Sequence, residues 1–241
     1  MQSIALSYAT PRKRLIAIET DPSLAENLRA QVAAHPEEWP NVEWPNVEIA
    51  EGDVLSLDLL ALARSAGLRE NEKFRVYGSL PYYITSPILH HLFQWADQIA
   101  SIHIVIQLEV AQRVVAKPGT RDYGYLSVAC QYYTRPEIAL KIPPGAFRPP
   151  PKVDSALVSM SLPGQQPALA VHDGPAFFRF VQTCFAHKRK TLRNNLIALA
   201  SDESVRKAIA AAGLPPAVRA EELPLEKFAI LWRQMGPRAA V

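Results

Sequence analysis

A chain of 241 residues with 49% hydrophobic and 20% charged side chains can bury a full core, and one large domain plus a small one is the expectation. Its net charge of +3 favours a nucleic-acid partner only where the cations are concentrated, and no apolar run is long enough to cross a bilayer. Cys130 and Cys184 lie in apolar helical patterns with no partner at metal-ligand spacing, so buried, reduced thiols of a cytoplasmic protein are expected, without a disulfide or a metal.

The segment ahead of Glu19, the first acidic residue, carries Arg12, Lys13 and Arg14 and loosely resembles a transit peptide. Against that, 14-RLIAIE-19 reads as a buried strand and leaves too little chain upstream for a removable leader. From there to Thr134, short apolar strands alternate with helical segments as in βαβ units. Strands are expected at 14–19, 47–52, 73–80 and 101–107, and helices at 22–34, 57–66, 86–96 and 108–116. Such a series builds a mostly parallel sheet covered on both faces. Between residues 38 and 48 the pentapeptide Glu-Trp-Pro-Asn-Val occurs twice in tandem, a local duplication that lengthens a surface loop at little closure cost.

Beyond Thr134 the pattern changes. Segments 136-PEIALKI-142 and 153-VDSALVSMSL-162, joined by the Pro-rich 143-PPGAFRPPPK-152, suit an antiparallel pair closing one edge of the sheet. A Pro/Gly/Gln stretch over 163–174 reads as a linker, and helices at 175–186, 189–200, 202–212 and 224–235 make a small helical domain. The expected division is therefore an α/β domain over 1–162, a linker over 163–174 and a helical domain over 175–241.

Three residues fall at or just past the ends of three successive strands: Glu19, Asp53 and Ser79. Their side chains should converge on the carboxyl rim of the sheet, where open α/β sheets bind ligands. An acid ending the second strand of a nucleotide-binding sheet accepts hydrogen bonds from ribose hydroxyls, and Asp53, one strand over, is placed to accept from an adenine amine. Either carboxylate alone suits a helix cap, the commoner role, since Asp21 precedes Pro22 and Asp53 precedes another helix. In 78-GSLPYYITSP-87, Pro81 marks the strand's end and places an aromatic pair on that rim. Farther on, 187-HKRKTLRNNL-196 holds Lys188, Arg189, Lys190 and Arg193, with no acid between Ala186 and Ala200. A solvated helix face is the usual fate of a charge run; here attraction to RNA phosphates is the better reading, with Arg113, Lys117, Arg121 and Lys152 extending the surface.

With these residues goes a resemblance. The segments 16-IAIETD-21, 52-GDVL-55, 77-YGSLPYYITSPIL-89, 107-QLEVAQRVVA-116, 123-YGYLSVACQYY-133, 146-AFRPPPKVDSALV-158, 188-KRKTLRNNL-196 and 219-RAEELPLEKF-228 resemble, in order, the small-subunit ribosomal RNA adenine N6-dimethyltransferases. The macrolide-resistance methyltransferases share the catalytic motifs, but the segments at Tyr123 and Arg219 favour the small-subunit enzymes. The resemblance implies a Rossmann-like fold that uses S-adenosylmethionine to dimethylate two adjacent adenosines near the 3′ end of small-subunit ribosomal RNA. It makes Glu19 the ribose ligand of the cofactor and Asp53, with Val54, the ligand of its adenine ring. Ser79, beside the cofactor, joins Leu80, Pro81 and Tyr82 in the motif that holds the target base, Tyr82 stacking on one face and Phe147 covering the other. The implied partner is ribosomal RNA in a pre-30S particle, and the implied protein is a cytoplasmic monomer with no metal and no membrane contact.

Two departures accompany it. Ser79 stands where the family usually has Asn, which predicts slower transfer. The family's amino-terminal Gln-x-Phe-Leu segment and Glu-x-Gly-x-Gly-x-Gly loop have no counterpart, and Met1 falls inside what should be the helix after that loop. The central first strand, between the strands at Ile16 and Val76, is therefore expected to be missing, leaving two unpaired edges. A second reading follows from this: a catalytically silent ribosomal RNA-binding assembly factor. A nicotinamide-dependent dehydrogenase has only Glu19 in its favour.

Overall fold

The computed structural model describes the backbone of residues 3–8 and, in full, residues 14–34, 47–81 and 83–236. The repeated pentapeptide lies outside these as far as Asn46. Two compact units are present, one of Met1–Ala111 with Pro136–Pro163, the other of Gln112–Arg135 with Gly164–Val241.

The first unit is built on a seven-stranded sheet of β1 (Ser3–Tyr8), β2 (Arg14–Glu19), β3 (Val47–Glu51), β4 (Phe74–Ser79), β5 (Ile99–Gln107), β6 (Arg135–Ile142) and β7 (Ser155–Ser161), in spatial order β3-β2-β1-β4-β5-β7-β6. β2 pairs parallel with β3, β4 parallel with β5, and β7 antiparallel with β5. Connections between the parallel strands run through α1 (Pro22–Ala34), α2 (Leu59–Ser65) and α3 (Thr85–Phe93). The sheet is buried through Ile16 and Ile18 of β2, Phe74 and Val76 of β4, Ile102, Ile104 and Ile106 of β5, and Ala156, Val158 and Met160 of β7. Two capping carboxylates set where helices begin. Asp21 Oδ1 accepts the Ser23 N–H at 2.9 Å, and Asp58 Oδ1 accepts the Ala61 N–H at 2.9 Å, so α2 starts two residues after its expected position.

The centre of the sheet departs from the expectation. The place expected to be empty is filled by β1, which is strand where the sequence suggests helix. It is antiparallel to both neighbours: Ser3 pairs with Glu19 and Tyr8 with Arg14 on one side, Ile4 with Gly78 and Tyr8 with Phe74 on the other. Being antiparallel to a common strand, β2 and β4 run parallel to each other. The direction follows from chain length. Residues 9–13 alone separate β1 from β2, enough for an antiparallel return but too few for the crossover a parallel pair needs. Filling the gap pairs backbone groups that would otherwise sit buried and unmatched.

The second unit takes the end of α4 (Leu108–Val115), then α5 (Tyr125–Tyr133), α6 (Gln166–Leu169), α7 (Gly174–Cys184), α8 (Leu192–Leu196), α9 (Asp202–Ala211) and α10 (Leu225–Met235). Its core joins Tyr123, Val128 and Tyr132 to Phe177, Phe180, Phe228 and Trp232. Tyr132 and Phe177 have ring centroids 5.6 Å apart, and Phe180 and Trp232 the same. Segment 112–135, placed by the sequence with the sheet, thus packs with the carboxyl-terminal helices. The stretch 163–174, expected to be a linker, carries α6 and buries Leu169 in this core. Gly164 is the reason that close fit is possible: a Cβ there would lie 2.4 Å from the Thr134 nitrogen and 2.7 Å from the Gln131 carbonyl oxygen. Its N–H donates to the Tyr133 carbonyl at 2.8 Å, fastening the incoming chain to the end of α5. Cys130 and Cys184 are buried, free thiols, and burial pushes both upward in pKa. No helix among the described residues is long and apolar enough to cross a membrane.

Candidate active site

The crossovers fix where a ligand fits. The connection from β2 leads outward to β3, whereas the connection from β3 returns past β2 and β1 to β4, so the carboxyl ends of β2 and β4 flank a switch in strand order. At that point lies a shallow, open cleft lined by Ile18, Thr20, Asp53, Val54, Ser79, Pro81, Ile84 and Ile88. β1 enters the sheet there, with Ser3 opposite Glu19 and Ile4 opposite Gly78.

Each polar residue has a structural reason for its position. Glu19 ends β2 and is only 2% exposed. Its Oε1 accepts the Asp21 N–H at 3.1 Å, and its carbonyl accepts the Gly52 N–H at 3.0 Å, tying the rim of β2 to that of β3. The Thr20 hydroxyl donates to the Gly52 carbonyl at 3.2 Å across the same junction. Asp53 is exposed, and one of its oxygens accepts the Leu55 N–H at 2.9 Å. That bond closes a turn of its own. The cap of α2 is Asp58, so Asp53 does not carry the helix-capping role that competes for it in the sequence. Val54, 7% exposed, supplies apolar lining to the cleft beside Asp53.

Ser79 closes β4 with an exposed side chain. Leu80 is 3% exposed and donates its N–H to the Val105 carbonyl at 3.0 Å, continuing the β4–β5 ladder past the strand's end. The Pro81 carbonyl accepts both the Thr85 hydroxyl at 3.1 Å and the Ile84 N–H at 3.2 Å, which starts α3. Ile84 and Ile88, one turn apart on that helix, supply apolar lining. Tyr82 lies outside the described residues. Phe147 follows the one-turn helix at 144–146, is half-buried and is not among the cleft-lining residues. Thr20, Ile84 and Ile88 fall within the quoted segments 16–21 and 77–89 but are not singled out there as site residues; the i, i+4 spacing of the isoleucines is the signal that puts them on one face.

In the helical unit, Lys188, Arg189 and Lys190 are exposed on a turn, where the helix expected from residue 189 has not yet begun. The Lys190 N–H donates to the His187 carbonyl at 3.0 Å, and α8 begins only at Leu192, capped by the Thr191 hydroxyl. Buried Asn195 holds the turn from beneath, its Nδ2 donating to the Cys184 carbonyl at 2.7 Å and the His187 carbonyl at 3.3 Å. Arg193 has a partner the local sequence hides: its Nε donates to Asp202 Oδ1 at 2.5 Å, and Arg206 reaches the other oxygen at 2.9 Å. The pairing raises the Arg193 pKa and lowers that of Asp202. Arg113 belongs to this unit at the end of α4, while Lys152 is exposed on the sheet unit. Among the described residues, no group of three or more His, Cys, Asp or Glu side chains is placed to hold a metal.

A sheet with paired acids at its switch point and a cationic turn on a separate helical unit matches one family along almost its whole length. The sequence model of the ribosomal RNA adenine dimethylases covers residues 3–234. The chain belongs to this family. A relative from Acidobacterium capsulatum called ribosomal RNA small subunit methyltransferase A is 44% identical over 232 residues, spanning 96% of this chain and 77% of its own length. One of the same name from Koribacter versatilis is 43% identical over 225 residues, spanning 92% of this chain and 77% of its own. Among solved structures, the 23S ribosomal RNA methyltransferase ErmE superposes with a TM-score of 0.59 at 25% identity, covering 91% of this chain and 81% of its own. A dimethyladenosine transferase from Plasmodium falciparum shares the fold with a TM-score of 0.65 at 19% identity over 90% and 79% of the two chains. The dimethylases are S-adenosylmethionine-dependent enzymes, and the residues about the switch point suit the nucleoside half of that cofactor: Asp53 and the apolar wall of Val54, Ile18 and Ile88 line the cleft, while Glu19, buried at the end of β2, is not among its lining residues.

Proposed function

We propose that this dimethylase acts on two adjacent adenosines near the 3′ end of small-subunit ribosomal RNA within a pre-30S particle, its sheet unit holding cofactor and base and its helical unit holding RNA. The observation that carries the reading is the convergence of Asp53, Val54, Ser79 and Pro81 on one cleft beside buried Glu19. Glu19 would accept the ribose hydroxyls and Asp53 the cofactor's adenine amine, with Val54 against the ring. S-adenosylmethionine supplies the electrophilic methyl group.

The chain's own contribution is to the nucleophile. An adenine amine delocalises its lone pair into the ring, so acceptors that draw on its protons as the nitrogen becomes tetrahedral lower the barrier. The Ser79 hydroxyl oxygen and the Leu80 carbonyl serve as those acceptors. The Pro81 carbonyl is already committed to Thr85 and Ile84, which leaves Leu80 as the motif's main-chain acceptor. Tyr82 and Phe147 would hold the flipped base between their rings, and Lys188, Arg189 and Lys190, with Arg113 and Lys152, would draw RNA phosphates. Arg193, tied to Asp202, acts instead as a strut behind the cationic turn. The reading of a silent assembly factor gains no support, since the relatives are named as methyltransferases.

The test is a series at Ser79, read by methyl incorporation into small-subunit ribosomal RNA. Ser79→Asn should raise turnover and Ser79→Ala should lower it, with cofactor affinity unchanged, because the contact strengthens only as the nitrogen reacts. A partial loss of one oriented hydrogen bond, about 1.4 kcal/mol, corresponds to about tenfold in rate. Equal turnover for Asn, Ser and Ala would remove the side chain from the chemistry.

A further inference from the structure

We infer that the turn from Lys117 to Arg121 is a second RNA-phosphate contact, held beside the Lys188–Lys190 turn by Lys188 itself; this rests on the reading of that run as an RNA-binding face. The two segments are far apart in sequence, yet the Lys188 ammonium donates to the Arg121 carbonyl at 2.9 Å. That bond uses main chain on the Arg121 side and leaves its guanidinium to point elsewhere. Lys117, Arg121, Arg189 and Lys190 are all exposed. The acids nearby are Asp122, also exposed, and Glu221, which is paired with Arg219 at 3.6 Å. Positive charge therefore predominates across the joined turns.

The second turn is built to hold its shape without a ligand. Thr120 donates to the Lys117 carbonyl twice, through its hydroxyl at 2.7 Å and its N–H at 3.2 Å. Pro118 occupies the second position, where a fixed φ is favourable, and Gly119 the third with φ +82°, a combination that a type II turn demands. The Gly119 N–H then donates to the Glu221 carbonyl at 2.7 Å, anchoring the tip to the segment before α10. In the Lys188–Lys190 turn, Asn195 braces the His187 carbonyl. Cations on two braced turns lose little freedom when they meet phosphates, which is what distinguishes a binding surface from a solvated charge run. Lys188, with its ammonium on a carbonyl, is a positioning residue as much as a phosphate ligand.

The experiment compares the full chain with Lys117→Gln/Arg121→Gln and with Lys188→Gln/Arg189→Gln/Lys190→Gln, measuring affinity for a small-subunit ribosomal RNA transcript against salt. Thermal unfolding of both variants verifies that they are folded. The double variant should lower the slope of log affinity against log salt by about two, so that between about 50 and about 200 mM salt it loses about tenfold less affinity than the parent. A lowered slope for the triple variant with an unchanged slope for the double variant would overturn the second contact and leave the RNA face at Lys188–Lys190 standing. Unchanged slopes for both would overturn that face, and the second contact with it.

Discussion

Ala5→Pro tests the strand that the sequence did not lead us to expect. Ala5 sits at mid-strand in β1, opposite Ala17 of β2 and Tyr77 of β4, in a ladder paired on both sides. Proline removes the amide donor at that position and leaves a buried acceptor without its partner, at about 1–3 kcal/mol. The ring also forces the strands apart, which brings the total to about 3 kcal/mol or more. Against the usual stability of about 5–15 kcal/mol this is a large fraction without being all of it, and for a chain of this size it should lower the melting temperature by about 6–12 °C. The sharper assay is hydrogen exchange. Peptides covering 14–19 and 74–79 should lose protection, because β1 is the common neighbour of β2 and β4, while the β5–β7 pair retains it. Cofactor affinity should fall as well, since Glu19 and Ser79 lie on the two strands that β1 joins. If both peptides exchange as in the parent and the melting temperature does not move, β1 is not part of the sheet, and the argument from unpaired edges is wrong.

Glu19→Gln keeps the shape of the side chain and an acceptor for the Asp21 N–H, but replaces two carboxylate acceptors by one amide oxygen. Calorimetry should show S-adenosylmethionine affinity weakened by about 10- to 100-fold, in line with about 1.5–3 kcal/mol for a hydrogen bond to a charged group; unchanged affinity would reduce Glu19 to a structural tie between β2 and β3. His90, on α3, has its pKa lowered by burial. The unfolded chain therefore takes up the proton first, and the stability His90 contributes is complete above its unfolded value of 6.5 and declines as pH falls toward the lower folded value. Urea midpoints at about pH 7.5 and about pH 5 should consequently draw together in His90→Gln relative to the parent, and an identical difference in both proteins would sink the assignment.

Local patterns carried the sheet unit a long way. The alternation of apolar strands and helices placed β2 to β5, and Asp21 marked the start of α1, because periodicity and caps are properties of a few neighbouring residues. β1 was hidden for a different reason. Its six residues, Ser-Ile-Ala-Leu-Ser-Tyr, alternate small and bulky side chains as a strand does, but the resemblance puts a helix there, and the conformation answers to two edges that only the folded sheet presents. The same holds for segment 112–135. Its helix is legible as a helix, but its allegiance depends on whether Tyr123, Val128 and Tyr132 meet the sheet or Phe177 and Phe180, and on Gly164 letting the chain approach α5 closely enough for that core to form.

The site divides along the same line. Asp53 and Ser79 meet at one cleft, as strand ends in a parallel sheet share one rim, so local assignments suffice to bring them together; Glu19 ends β2 on that rim but is buried and outside the cleft lining. The cationic face cannot be found in that way. A run of Lys and Arg states how much charge is present but not which charges already have partners, and here both decisive partners lie outside the run: Asp202 for Arg193 and the Arg121 carbonyl for Lys188. One of those contacts pairs a cation with an acid and the other ties a second turn to the run. The composition of the run is compatible with either outcome at either residue. It is therefore the pairing, not the count, that determines what the surface offers to a phosphate backbone.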